Sequence, residues 1–251
     1  MAGENKGFHR PALEAWVDAC KRMDNPHKKV VGLLLAFTGV RNNVIGHIHG
    51  PTWFTWTDPD KDETNDGDIP KLKVKNHTTC YRNGNPTPCG DCEEEGEFTT
   101  KYDDARKIPL IVEWRNWNKG EPHEFQIESL DLRGLVKDYF AVTPNDHGHK
   151  MIGPDGSGIA NSTVNVWCKE IAQEAEIGLE RGTQQHSSFN EPVPKVDPHD
   201  LRGTFIMQLI RNNMQRTKLI NYTGHSHVSS LEPYEERVSK ETAAREFLDH
   251  M

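Results

Sequence analysis

Four residues near the end of the chain have the types and spacing needed to cut a phosphodiester. His199 and Arg202 stand three positions apart, His225 follows further on, and Tyr234 lies nine residues beyond His225. A phosphodiester resists attack because its anionic oxygens repel nucleophiles, so cleavage requires cationic donors on those oxygens and a positioned nucleophile. The arginine fork matches two phosphate oxygens and keeps its charge at any working pH. A tyrosine hydroxyl, with an ordinary pKa of about 10, attacks only with help from a base or a cationic neighbour. Two imidazoles can give that help. The four residues together describe a phosphate clamp with a nucleophile beside it.

The runs His199-Asp200-Leu201-Arg202 and Thr223-Gly224-His225-Ser226, with Tyr234 after them, resemble the C-terminal box of the tyrosine recombinase family. That family also carries a first arginine in a Thr-Gly-x-Arg turn after an apolar helix. The run Leu33-Leu34-Leu35-Ala36-Phe37 followed by Thr38-Gly39-Val40-Arg41 puts Arg41 in this role. The family lysine precedes an Arg-x-Ile/Val-Pro-Leu strand. Lys101, ahead of Arg106-Lys107-Ile108-Pro109-Leu110, is the candidate, with Lys73, Lys75, Lys107 and Lys119 as alternatives. Tyr222, the other aromatic of the box, is expected in the core.

What the resemblance implies is a catalytic set of Arg41, Lys101, His199, Arg202, His225 and Tyr234 acting on double-stranded DNA, without a catalytic cofactor and as a tetramer on its substrate. The implied activity is site-specific recombination or integration through a 3′-phosphotyrosine intermediate, in a short member of archaeal or viral type. Two other readings use the same residues: a type IB topoisomerase-like nicking-closing enzyme, and a non-catalytic DNA-binding zinc module. The histidine at position 199 favours the recombinase over the topoisomerase, because family members prefer histidine there.

These side chains need elements to hold them. Pro11 to Asp24 predicts a helix with Leu13, Trp16, Val17 and Cys20 on one stripe, ended by Asn25-Pro26. A second helix, about His27 to Thr38, delivers the chain into the Arg41 turn. A strand through Ile108 to Trp114, a helix near Glu128 to Phe140 and another over Val164 to Ile177 follow. The box itself reads as helical, with a final helix from Leu231 carrying Tyr234. The expected fold is mixed α+β and mainly α-helical: a tyrosine-recombinase catalytic domain with a small antiparallel sheet and an inserted cysteine-containing loop. Residues 1–251 are read as one catalytic domain with an insertion at about 57–97 and no N-terminal core-binding domain. The Gly-Pro-Asp-Gly-Ser-Gly run at 153–158 lacks the strand and the Gly-Lys-Ser/Thr ending of a phosphate cradle and reads as a loop.

A net charge of −8 runs against the cationic surface that nucleic-acid binding uses. The acids are concentrated, however: residues 58–97 hold eleven against five bases, which leaves the remainder at −2 and free to carry a positive face. No run of eighteen apolar residues exists, so no membrane partner is expected and a cytoplasmic location is. Five cysteines are an odd number for a disulfide framework. Cys20 and Cys168 fall on helix faces as buried thiols. Cys80, Cys89 and Cys92 cluster in the insertion, with His77 close by. A Cys-x-x-Cys pair on a Pro/Gly-rich turn suits one tetrahedral ion, so His77, Cys80, Cys89 and Cys92 form a candidate structural zinc site.

Overall fold

A computed structural model describes residues 7–55, 71–82, 85–87, 92, 97–100, 105–110, 130–142 and 151–249. The first two helices are α1 (Arg10–Arg22) and α2 (Pro26–Thr38), and every residue from Val30 to Thr38 of α2 is buried. A helix that is apolar on all sides must be covered on all sides. Here α1, α5 (Leu132–Val142), α6 (Asn161–Glu174) and α8 (Pro198–Arg211) supply that cover. Close approach requires a small residue in the middle. A Cβ on Gly32 would lie 2.6 Å from the Cys20 sulfur and 2.8 Å from the Ile171 side chain. The Trp16 indole uses the same gap and donates to the Gly32 carbonyl at 3.1 Å.

After α2, Gly39 turns the chain with φ +58°, and its backbone N–H caps the Leu35 carbonyl. Two short helices follow, α3 (Asn42–Ile45) and α4 (Gly50–Trp53). Then come β1 (Phe54–Thr55), β2 (Lys71–Val74), β3 (His77–Thr79), β4 (Tyr81–Arg82), β5 (Asn85–Pro86), β6 (Glu97–Thr99) and β7 (Arg106–Pro109). A three-stranded antiparallel sheet has the order β1-β2-β7, with Leu72 opposite Ile108 and Val74 opposite Arg106. Strands β3 and β6 form a separate two-stranded antiparallel sheet that brackets the β4–β5 hairpin in sequence. The last part holds α7 (Gly178–Arg181), the pair β8 (Thr183–Gln184) and β9 (Val193–Pro194), then α8, α9 (Arg216–Thr223) and α10 (Glu232–Asp249).

Each predicted helix that falls on described residues is present, with ends displaced by a few residues. The insertion differs from expectation. Lys71–Val74, read as part of the inserted segment, is the central strand of the main sheet, because its Leu72 and Val74 alternate into the core. Strands β3 to β6 lie between β2 and β7 in sequence and pair outside that sheet. The expected strand at 111–114 lies outside the described residues.

Replacing Gly39 by alanine would place a Cβ 2.4 Å from the Phe205 ring in a backbone conformation that L-residues resist. The conformational strain alone is roughly 1–2 kcal/mol. Urea unfolding of Gly39→Ala is therefore expected to show at least that loss, and a loss below about 0.5 kcal/mol would contradict the packing described.

Candidate active site

The first turn of α8 is fixed before any functional side chain is considered. Asp197 accepts from the backbone N–H groups of His199 and Asp200, while the Asp200 carboxylate accepts from the Asp197 N–H at 3.0 Å. Pro198 occupies the first turn, where its missing N–H is no loss. This reciprocal cap sets the helix phase. His199 emerges at the surface, and Arg202 enters the interior with 2% exposure.

Arg202 donates from Nη1 to the Gly39 carbonyl and from Nη2 to the Thr223 carbonyl. Both acceptors lie where a helix ends in a left-handed glycine, Gly39 for α2 and Gly224 for α9. Arg41, half-buried just beyond Gly39, donates from Nη2 to the Gly224 carbonyl at 3.1 Å. Two guanidinium groups far apart in sequence are thus tied to one glycine-capped helix end. Amide carbonyls satisfy N–H groups but do not neutralise the cations, which stay available to an anion.

His225 sits between them. The Thr223 hydroxyl donates to the Leu219 carbonyl at 2.8 Å, so at 2.7 Å it accepts from His225 Nδ1–H. The ring's lone pair is therefore on Nε2, which faces Arg202 Nη2 at 3.5 Å. Burial, then the nearby Arg202, Arg41, Arg106 and His199, push the His225 pKa down to about 4. The imidazole is neutral at neutral pH.

The Tyr234 ring lies 6.4 Å from that of His225, on the apolar cluster of Ile206, Met207, Leu219 and Leu231. Burial raises its pKa, with Arg202 opposing, so the phenol keeps its proton and needs a base to attack. Tyr222 is half-buried on α9. Arg41, His199, Arg202, His225 and Tyr234 are brought together, and Lys101 lies outside the described residues. Of the alternative lysines, Lys73 is half-buried and Lys75 and Lys107 are exposed, whereas Lys119 lies outside the described residues.

One residue escaped the sequence reading. Arg106, buried on the inner face of β7 together with Ile108, is a third cation acting on His225. The available signal was strand alternation: a residue two before Ile108 shares its face, and a charge there is rare without a task.

The cysteine candidates divide differently from expectation. Cys80 and Cys92 lie together, but the histidine beside them is His47, which follows α3. His77 is exposed on β3, where its Nδ1 meets the Thr99 hydroxyl at 3.1 Å. Cys89 lies outside the described residues.

The unfolded chain takes up the His225 proton near pH 6.5 and the folded chain only near 4, so between those values the unfolded state binds more protons. Stability should therefore fall as pH is lowered from 6.5 toward 4, and His225→Asn should flatten part of that slope. Urea unfolding at several pH values reads this directly, and equal slopes for both proteins would refute it.

No protein-family model matches this chain, and no curated protein does. Solved structures do. The XerH site-specific recombinase bound to palindromic difH substrate, a post-cleavage complex, aligns with 98% of this chain and 54% of its own, at TM-score 0.58 and 12% identity. The Tn1549 transposon integrase in complex with transposon right-end DNA gives 97%, 67%, 0.55 and 14%. The XerA recombinase gives 97%, 66%, 0.54 and 15%. The chain spans about half the length of the XerH chain it matches, and what it shares with these proteins is their fold.

Proposed function

We propose that the protein is a site-specific DNA recombinase or integrase that cleaves and rejoins double-stranded DNA through a 3′-phosphotyrosine. The observation that carries this reading is the convergence of Arg41, Arg106 and Arg202 around a neutral His225, with the Tyr234 ring 6.4 Å from that histidine. Such a centre suits one anion with a nucleophile at its side. The shared fold and the DNA complexes of XerH and the Tn1549 integrase support it.

In the proposed step, Arg41 and Arg202 bind the non-bridging oxygens of the scissile phosphate. The Tyr234 hydroxyl gives its proton to His199 and attacks phosphorus. The bond to the 5′ oxygen breaks, and that oxygen takes a proton from Lys101. One ester bond forms as one breaks, so the energy of the broken bond is kept in the phosphotyrosine and no nucleotide is consumed. A 5′ hydroxyl from the partner duplex then reverses the step. The phosphate also reverses the electrostatics at His225. Its negative charge favours the imidazolium, and an Nε2–H donor to the phosphate then replaces the lone pair seen in the free chain. Strand exchange between two duplexes calls for four protomers, each cutting one strand.

The test uses a pool of nicked duplexes with randomised centres, in which the cleaved strand loses a short 5′-hydroxyl fragment and cannot be resealed. An SDS-resistant protein–DNA adduct should form and map to Tyr234. It should vanish in Tyr234→Phe and fall about 10²–10³-fold in Arg202→Lys. An adduct retained by Tyr234→Phe, or tight binding with no adduct under any condition, would overturn the proposal. Relaxation of supercoiled plasmid without joining of two duplexes would assign the same chemistry to a nicking-closing enzyme instead.

A further inference from the structure

We infer that His47, Cys80 and Cys92 bind one zinc ion, and that this ion fastens the β3–β6 segment to the turn carrying Arg41. The donor atoms of the three residues all lie within 4.8 Å of one another. Zinc bonds of about 2.3 Å to sulfur and about 2.0 Å to nitrogen place tetrahedral donors roughly 3.5–3.8 Å apart. Small side-chain movements therefore bring all three onto one ion. Thiolate and imidazole are the ligand types that zinc prefers, these three would leave a fourth tetrahedral position to another donor, and soft sulfur disfavours magnesium and calcium.

The donors reach this point from three separate stretches of sequence. His47 follows α3 in the helical core, Cys80 ends β3, and Cys92 precedes β6. The histidine is oriented as a ligand. Its Nδ1 faces the Asn43 carbonyl, which can only accept, so Nδ1 carries the hydrogen and the Nε2 lone pair points toward Cys92 Sγ at 2.9 Å. The ring stacks on Phe98 of β6 at 3.9 Å between centroids and 7° between planes, which fixes its direction. Around Cys80 the wall is tight. A Cβ on Gly158 would come within 2.7 Å of the Cys80 sulfur and 3.2 Å of the Met151 methyl group. His47 and Cys80 are buried, as a structural site requires.

This placement links the site to the clamp without depending on the proposed reaction. His47 stands six residues after Arg41, and the Val44 and His47 backbone N–H groups continue the turn from the Arg41 carbonyl. An ion on His47 restrains the turn from one side while Gly224 holds Arg41 from the other.

The full chain, prepared without chelator or histidine tag, is analysed for zinc by mass spectrometry and then loaded with cobalt(II) for absorption spectroscopy. Roughly one zinc per chain is expected, with an intense sulfur-to-cobalt band. His77→Ala should leave both unchanged. His47→Ala and Cys92→Ser should weaken cobalt binding at least tenfold, and Cys92→Ser should also reduce the sulfur-to-cobalt band. If His47→Ala fails to fold, Cys92→Ser alone decides. A chain without zinc whose melting temperature ignores added zinc overturns the inference. So does a Cys80–Cys92 disulfide in the chain as purified, or loss of metal in His77→Ala with retention in His47→Ala. None of these readings involves DNA, so failure here leaves the recombinase proposal standing, and the reverse holds too.

Discussion

The guanidinium of Arg202 is buried, and its two hydrogen bonds to the carbonyls of Gly39 and Thr223 join three helices at one point. A buried cation is tolerated only where its donors are satisfied, and helix C-termini offer the carbonyls with which to satisfy them. Each of these ends carries the partial negative charge of its helix dipole, which favours a guanidinium there. The ends of α2 and α9 must then meet at the arginine. That meeting brings Arg41 onto Gly224 and orients His225 through Thr223. Most of the site geometry follows from where one side chain can be buried.

The N-terminal end of α8 is held with comparable care. The Asp200 carboxylate caps the helix and pairs with Arg181, and burial pushes its pKa up against that pairing. Arg181 also donates to the Gly7 carbonyl at 2.7 Å and lies over the Phe8 ring. The Phe8 N–H donates to the buried Thr204 hydroxyl at 2.6 Å. The chain's first described residues therefore lock the helix that carries Arg202. At its other end Arg211 pairs with Glu241 of α10, which Arg237 also contacts at 3.1 Å. These contacts dock α10, and with it Tyr234, on α8 of the same chain.

Much of this was legible in the sequence, for identifiable reasons. Helices α1 and α2 announce themselves by an apolar stripe and by continuous apolar residues, signals that need no partner to be read. Arg202, His225 and Tyr234 could be singled out because unusual residue types stand at fixed separations, and Arg41 through the resemblance of its Thr-Gly-x-Arg turn. Arg106 and His47 escaped because their local signals are weak. Arg106 is one basic residue in a strand with another beside it, and only the register that sets it opposite Val74 shows which of the two faces inward. His77 is nearer to Cys80 in sequence than His47, yet β3 pairing with β6 turns it to the surface while the turn after α3 brings His47 to the sulfurs. Proximity along the chain predicts proximity in space within a helical turn or a hairpin, and fails across elements.

Burial, then the neighbouring arginines, keep His225 neutral in the free chain. Arg41, Arg106 and Arg202 together repel a fourth positive charge, and burial removes the water that would screen them. In a chain whose overall charge is −8, this is a local concentration of cations with a neutral ring at its centre. Carbonyl contacts at Gly39, Thr223 and Gly224 hold Arg202 and Arg41 in place against that repulsion. An anion entering the centre is attracted by all three at once and needs no rearrangement to be bound. The negative net charge of the chain is compatible with this local cluster of cations, because −6 of the −8 falls in residues 58–97.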